Sequence, residues 1–142
     1  MKRRPAAGHA ALVRAARAAR AKAYAPYSGF LVGAAVLCGS GRVYTGCNVE
    51  NASYGLTCCA ERTAIFKAAA AGERRVRAVA VVLDAPSYGA PCGACRQVIH
   101  EFGPDATVIM ATVSGASAVR KIRQLLPYAF GPGNLDRARG KG

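Results

Sequence analysis

The chain has 142 residues, enough for one domain with a real hydrophobic core. Hydrophobic residues make up 52% and charged residues 19%, which excludes disorder as the state of the whole chain. Twenty Lys and Arg against seven acids give a net charge of +13. The basic residues are scattered, so they read first as a solvated basic face and only second as a nucleic-acid footprint.

Residues 7–23 are rich in Ala, Arg and Lys and predict a helix with a small-residue buried face; Pro26 ends it. The apolar stretch behind Lys2, Arg3 and Arg4 is broken by His9, Arg14, Arg17 and Arg20, which is no signal-peptide core. Residues 29–38 predict a buried strand, Gly39-Ser40-Gly41 a turn, and residues 42–47 a second strand that closes a hairpin. A polar loop follows over 48–56, then a helix over 59–71 stopped by Gly72. Residues 76–84 predict a β-branched strand, 85–91 a loop, and 92–102 a helix ended by Gly103-Pro104. Strands are expected over 107–112 and 118–123, with Ser114-Gly115 turning between them. Leu125-Leu126-Pro127 opens a C-terminal segment, and 136–142 reads as a disordered tail. Helix, hairpin, then alternating strands and helices predict a single α/β domain over 1–142. Its expected form is a three-layer α/β/α sandwich around a five-stranded mixed sheet.

Six cysteines in a chain expected to be cytoplasmic point to metal or catalysis rather than disulfides. Two groups stand out, Cys59-Ala60-Glu61-Arg62 and Pro91-Cys92-Gly93-Ala94-Cys95. Cysteines separated by two residues at a helix start can bring both thiolates to one ion. Cys59, Cys92 and Cys95 then leave one tetrahedral position of a zinc ion open, which is the mark of a catalytic site. The alternative is a closed structural site with Cys58, Cys47 or Cys38 as fourth ligand. Cys38 and Cys47 lie on predicted strands and read as small core residues. Glu61 favours the open site, since a structural zinc has no use for it. In a regular helix Cys59 and Glu61 would lie about 200° apart. They converge only if Cys59 stands at the helix edge with non-helical dihedrals.

Cys-Ala-Glu-Arg followed by Pro-Cys-x-x-Cys resembles the signature of the zinc-dependent cytidine deaminases, in their three-cysteine form. Pro26-Tyr27-Ser28-Gly29-Phe30, Asn48-Val49-Glu50-Asn51 and Leu125-Leu126-Pro127-Tyr128-Ala129-Phe130 resemble further motifs of that family, in order over roughly 8–135. The short chain is similar to the homotetrameric branch. The resemblance implies a cytidine deaminase-like fold and one zinc per chain. It implies hydrolytic deamination of cytidine and deoxycytidine to uridine and deoxyuridine, a reaction of pyrimidine salvage that releases ammonia. It makes Glu61 the proton carrier and Arg62 a partner of thiolate sulfur. Asn48 and Glu50 would take the ribose 3′-hydroxyl, and Phe30 would lie against the pyrimidine. The Ala60 N–H and the Ala90 carbonyl would meet the base, Tyr54 would line the loop, and Phe130 would serve a neighbouring subunit's site.

The partners expected are therefore a small nucleoside and three further copies of the chain, with no membrane and no nucleic acid. A deaminase acting on RNA or DNA would suit the +13 charge, but Glu50 at the 3′ position would repel a phosphate there. A blasticidin S deaminase would not need the Asn-Val-Glu-Asn stretch. A structural zinc module would not need Glu61.

Overall fold

The computed structural model describes residues 7–136. Its elements in chain order are α1 (Ala7–Arg20), β1 (Val32–Cys38), β2 (Val43–Cys47), α2 (Ala60–Ala70) and β3 (Val76–Leu83). There follow α3 (Gly93–Phe102), β4 (Thr107–Thr112), β5 (Ser117–Lys121), α4 (Ile122–Leu125) and α5 (Gly133–Asp136). The sheet order is β2-β1-β3-β4-β5, with β3 and β4 parallel and every other neighbouring pair antiparallel. The parallel pair is the one joined through a helix, α3, as its geometry requires.

The core has two halves, one on each face of the sheet. On one face Leu12 and Ala16 of α1 pack against Ala35, Ala78, Ala80, Val82, Ile109 and Ala111. On the other, Ala64, Ile65 and Ala68 of α2, Ile99 of α3 and Ile122 of α4 meet Val36, Val79, Val81 and Val108. Alternation along β3 and β4 sends successive residues to opposite layers. The expected three-layer α/β/α sandwich is therefore present.

Small residues set how closely the layers approach. A Cβ at Gly33 would strike the backbone carbonyl of Ala16 in α1 and lie 2.5 Å from the Arg20 nitrogen. A Cβ at Gly46 would strike the Ala64 nitrogen and lie 2.8 Å from the Ala60 carbonyl oxygen. Each helix crosses a strand at a glycine, and the second crossing seats the first turn of α2 on β2.

Several predicted boundaries shift, for local reasons. The first helix ends at Arg20, before Pro26, and the Arg20 Nε donates to the Leu31 carbonyl at 3.0 Å. The first strand starts at Val32, not at residue 29. Gly29 sits at φ +68°, and the Asn48 side chain takes the Phe30 carbonyl and the Val32 N–H in place of a ladder. The last strand stops at Lys121, and Ile122 starts a short helix that buries it completely. Asp136, expected to begin a disordered tail, closes α5; residues 137–142 lie outside the described part.

Gly46→Ala should lower stability by about 1–3 kcal/mol, because backbone rather than a flexible side chain opposes the added methyl. Gly41→Ala should cost only the roughly 1 kcal/mol of a left-handed residue, since Gly41 has φ +88° and open space around it. Equal urea midpoints for the two variants would refute the close crossing.

Candidate active site

The loop before α2 and the loop before α3 end at one point. Cys59 and Cys92 are the N-cap residues of these helices, with extended dihedrals of −68°/155° and −64°/167°. This is the non-helical placement that the sequence demanded of Cys59. Cys95 lies one turn inside α3 and is fully buried. The three Sγ atoms lie within 4.8 Å of one another, and Cys59 Sγ is 3.8 Å from Cys92 Sγ.

That spacing fits zinc. Tetrahedral bonds of about 2.3 Å place two sulfurs about 3.8 Å apart. The chemistry of the donors fits as well. Cys59 is held well below the usual thiol range, at about 5, by the Cys95 thiol first and then by Arg62 and Cys92. Cys95 is pushed up because its proton is the one shared with Cys59. Without metal, Cys95 keeps its proton against the Cys59 thiolate; a divalent cation is the natural replacement for such a proton. Arg62 Nη2 donates to Cys59 Sγ at 3.4 Å, and the guanidinium is held in its charged form, the Cys59 sulfur first among the causes. Its Nε is buried and has no partner among the described residues.

No other group of three His, Cys, Asp or Glu among the described residues makes a comparable cluster. Cys38, Cys47 and Cys58 stand outside it, so the fourth position is not closed by cysteine. Cys38 is fully buried, as expected of a core thiol, and burial pushes its pKa up.

Cys59 and Cys92 line an open cavity of about 310 Å3, the scale of a small-ligand site. Glu61 also lines it and is 4% exposed. Burial pushes its carboxyl up, helped by the Cys59 thiolate, while its own N–H, Cys95 and Arg62 restrain the shift. Phe30, Asn48, Glu50, Ala60 and Ala90 line the same cavity. Tyr54 and Phe130 do not. Tyr54 is 74% exposed and packs edge-on against Tyr27, their ring centroids 5.7 Å apart. Phe130 is 58% exposed, and its carbonyl accepts from the Gln97 amide at 2.8 Å.

Two predicted sugar contacts have structural duties. Asn48 donates to the Phe30 carbonyl at 2.7 Å and accepts from the Val32 N–H at 2.9 Å. Glu50 accepts from the Tyr27 N–H at 3.0 Å, the Ser28 N–H at 3.1 Å and the Ser28 hydroxyl. The Ser28 hydroxyl is the first cause that holds its pKa down. Sequence reasoning passed over Ser28, although it lies inside the quoted Pro-Tyr-Ser-Gly-Phe stretch. It also passed over Arg96, which bonds the Pro91 carbonyl and the Leu125 carbonyl, both at 2.7 Å. Arg96 thereby ties the cysteine loop to the C-terminal segment. Its position directly after Cys95 was the available signal.

Residues 7–111 match the family model described as the cytidine and deoxycytidylate deaminase zinc-binding region. The chain is 46% identical over 128 residues to a cytidine deaminase of Sporosarcina psychrophila, covering 89% of this chain and 94% of that one. It is 48% identical over 121 residues to one from Mycobacterium tuberculosis strain H37Rv, covering 85% and 88%. The crystal structure of cytidine deaminase from Burkholderia pseudomallei superposes with a TM-score of 0.84 at 55% identity, covering 86% and 98%.

Metal analysis of purified protein should return about one zinc per chain. Dialysis against a strong chelator should remove it and lower the thermal midpoint, because binding energy at a thiolate site is also folding energy. Active protein without zinc would remove the metal assignment.

Proposed function

We propose that this chain, which belongs to the zinc-binding cytidine deaminase family, hydrolyses cytidine and deoxycytidine to uridine and deoxyuridine with release of ammonia. The observation that carries this reading is a buried carboxylate, Glu61, lining one cavity with two members of a three-thiol cluster. Cys59, Cys92 and Cys95 would hold a zinc ion, whose chemistry would be to lower the pKa of a water molecule.

The rest is the work of the chain. Glu61 accepts a proton from the attacking water and delivers one to ring N3. It then carries a second proton to the departing amine. One carboxyl can do both jobs only with a pKa nearer neutrality than a solvated carboxylate, and burial moves it that way. The Ala60 N–H, at the first turn of α2, suits the base carbonyl. The Ala90 carbonyl suits the amine. Phe30 offers a ring face to the pyrimidine. Asn48 and Glu50 retain lone pairs beyond those used by the 27–32 backbone, and these suit the 3′-hydroxyl.

A polynucleotide substrate is disfavoured by the same carboxylate. Glu50 is pinned at the cavity and held ionised by Ser28, so a 3′-phosphate would meet a fixed negative charge. No described helix is long and apolar enough to cross a membrane. A cytoplasmic location is part of the proposal, in keeping with cysteines that are all free thiols.

The finer assembly we infer is a homotetramer. Tyr54 and Phe130 are large, exposed and absent from the cavity of their own chain, which suits a role across a subunit boundary. Ala68 is 1% exposed within its own core, whereas Phe66 on the same helix is 49% exposed.

Purified protein mixed with free cytidine should show loss of ultraviolet absorbance as the 4-amino group leaves. Glu61→Gln should abolish that signal while zinc content and circular dichroism stay at wild-type values. Activity within about tenfold of wild type would mean that another group moves the protons. For the assembly, Phe130→Ala should raise the KM in a tetramer of unchanged size by light scattering, with little change in stability. A fully active monomer would sink the shared-site reading.

A further inference from the structure

A second open cavity, about 890 Å3 in volume, lies at the opposite end of the sheet from the thiol cluster. It is lined by the segment entering β3 and by the ends of β1, β4 and β5, with α1 and α3 beside it. Its charged lining is Arg74, Arg75, Arg77 and Lys121 against Glu101 and Asp105. Asp105 is already paired with Arg123 at 2.6 Å, and Lys121 Nζ is held by the Asp105 carbonyl and Thr107. The Arg75 and Arg77 side chains have no acceptor among the described residues.

Arg77 reaches this cavity through a break in the sheet. Along β3, Ala78, Ala80 and Val82 face the α1 layer, and Val79 and Val81 face the α2 layer. Strict alternation would turn Val76 toward α1, yet Val76 packs in the α2-side core. The pairing explains it: Leu37 opposes Ala78 while the next residue, Cys38, opposes Val76. Arg77 is the extra residue of a β-bulge, and it is the one exposed position in β3. A bulge in a central strand forfeits ladder pairing and re-aims a side chain. Here it delivers a free guanidinium to the cavity wall.

We propose that this cavity is a binding site for a phosphate chain, of the kind carried by a nucleoside triphosphate, remote from the deaminase centre. Guanidinium groups present planar forks that match phosphate oxygens in pairs. Arg74 is held by the Ala69 and Glu73 carbonyls, both at 2.8 Å, but two guanidinium groups without partners, with Lys121 beside them, call for a ligand with more than one negative charge. The half-buried side chains of Leu37 and Phe102, which pack in opposite layers, add apolar lining to the cavity. The volume lies within the range of small-molecule sites and is small for a nucleic-acid groove.

Calorimetric titration of the zinc-loaded full chain at low ionic strength tests this, with inorganic tripolyphosphate and ATP as probes. Two variants remove equal charge. Arg75→Gln with Arg77→Gln strips the cavity but keeps much of the aliphatic stems; Arg14→Gln with Arg17→Gln strips the exposed face of α1. Both should turn over cytidine as wild type does, which shows that they fold. Tripolyphosphate should bind wild type and the α1 variant within about twofold of each other, and the cavity variant at least about tenfold more weakly. Tighter binding of ATP than of tripolyphosphate identifies a nucleotide as the source; equal binding identifies the phosphate chain alone. No binding to wild type, or equal loss in both variants, overturns the proposal. So does a single-stranded RNA that binds every variant alike while tripolyphosphate does not bind.

Discussion

Three sulfurs that must ionise together cannot be held together cheaply, and the fold is arranged around that repulsion. Two thiolates about 3.8 Å apart repel by on the order of 4 kcal/mol at an effective dielectric near 20. A helix N-terminus returns about 0.3–1 kcal/mol at an exposed site, and a charged hydrogen bond such as that from Arg62 about 1.5–3 kcal/mol. Those aids can hold one thiolate, and Cys59 is the one so held. They cannot hold three. The remaining charge requires a proton or a divalent cation, so the cluster is built to lose its proton to metal. Both N-cap positions place a sulfur beside a helix N-terminus; neither makes a side-chain cap hydrogen bond, so the aid there is that of the helix dipole alone.

Bringing two helix starts to one point depends on residues that seem featureless in the sequence. Gly46 lets α2 lie on β2, and alanines at 35, 78, 80 and 111 let α1 lie close on the opposite face. The cysteine groups, Glu61 and the alternation of helices and strands were legible, because each is local and chemically marked. The sheet order was not, because nothing local to β1 says that it sits between β2 and β3. The turn into α4 was illegible for another reason. Lys121 is a poor N-cap type, and its N–H is taken instead by Gln124 Oε1 at 2.8 Å. Ile122 must reach the core, and the edge strand β5, exposed at four of its five positions, has little packing to oppose the turn.

The residues expected to touch the sugar show why sequence patterns blur recognition and scaffolding. Asn48 is 8% exposed and uses both ends of its amide on the backbone at Phe30 and Val32. Glu50 gathers the Tyr27 and Ser28 donors. Neighbouring polar residues thus hold the start of β1 and the loop that presents Phe30. Replacing either would move the aromatic wall as well as remove a polar contact. The loss on substitution would therefore mix a lost hydrogen bond with a displaced ring, and a substrate lacking the hydroxyl is needed to separate them.

β3 runs between the two cavities and gives each a different character. Val81 and Leu83 line the thiol cavity at one end, and Val76 to Ala78 line the basic cavity at the other. Val79 and Ala80 between them are fully buried, one in each packed layer. Such an interior has little room to deform continuously, so a shift at one end passes along the strand only as a change of register. The bulge at Arg77 is where the register already departs from regular pairing. A ligand that grips Arg77 would act on the irregular step of an otherwise rigid strand, and the ladder from Ala78 to Leu83 would resist any transfer of that step to the zinc site. On this geometry the two cavities can be occupied together, each with its own ligand charge, without either having to open the other.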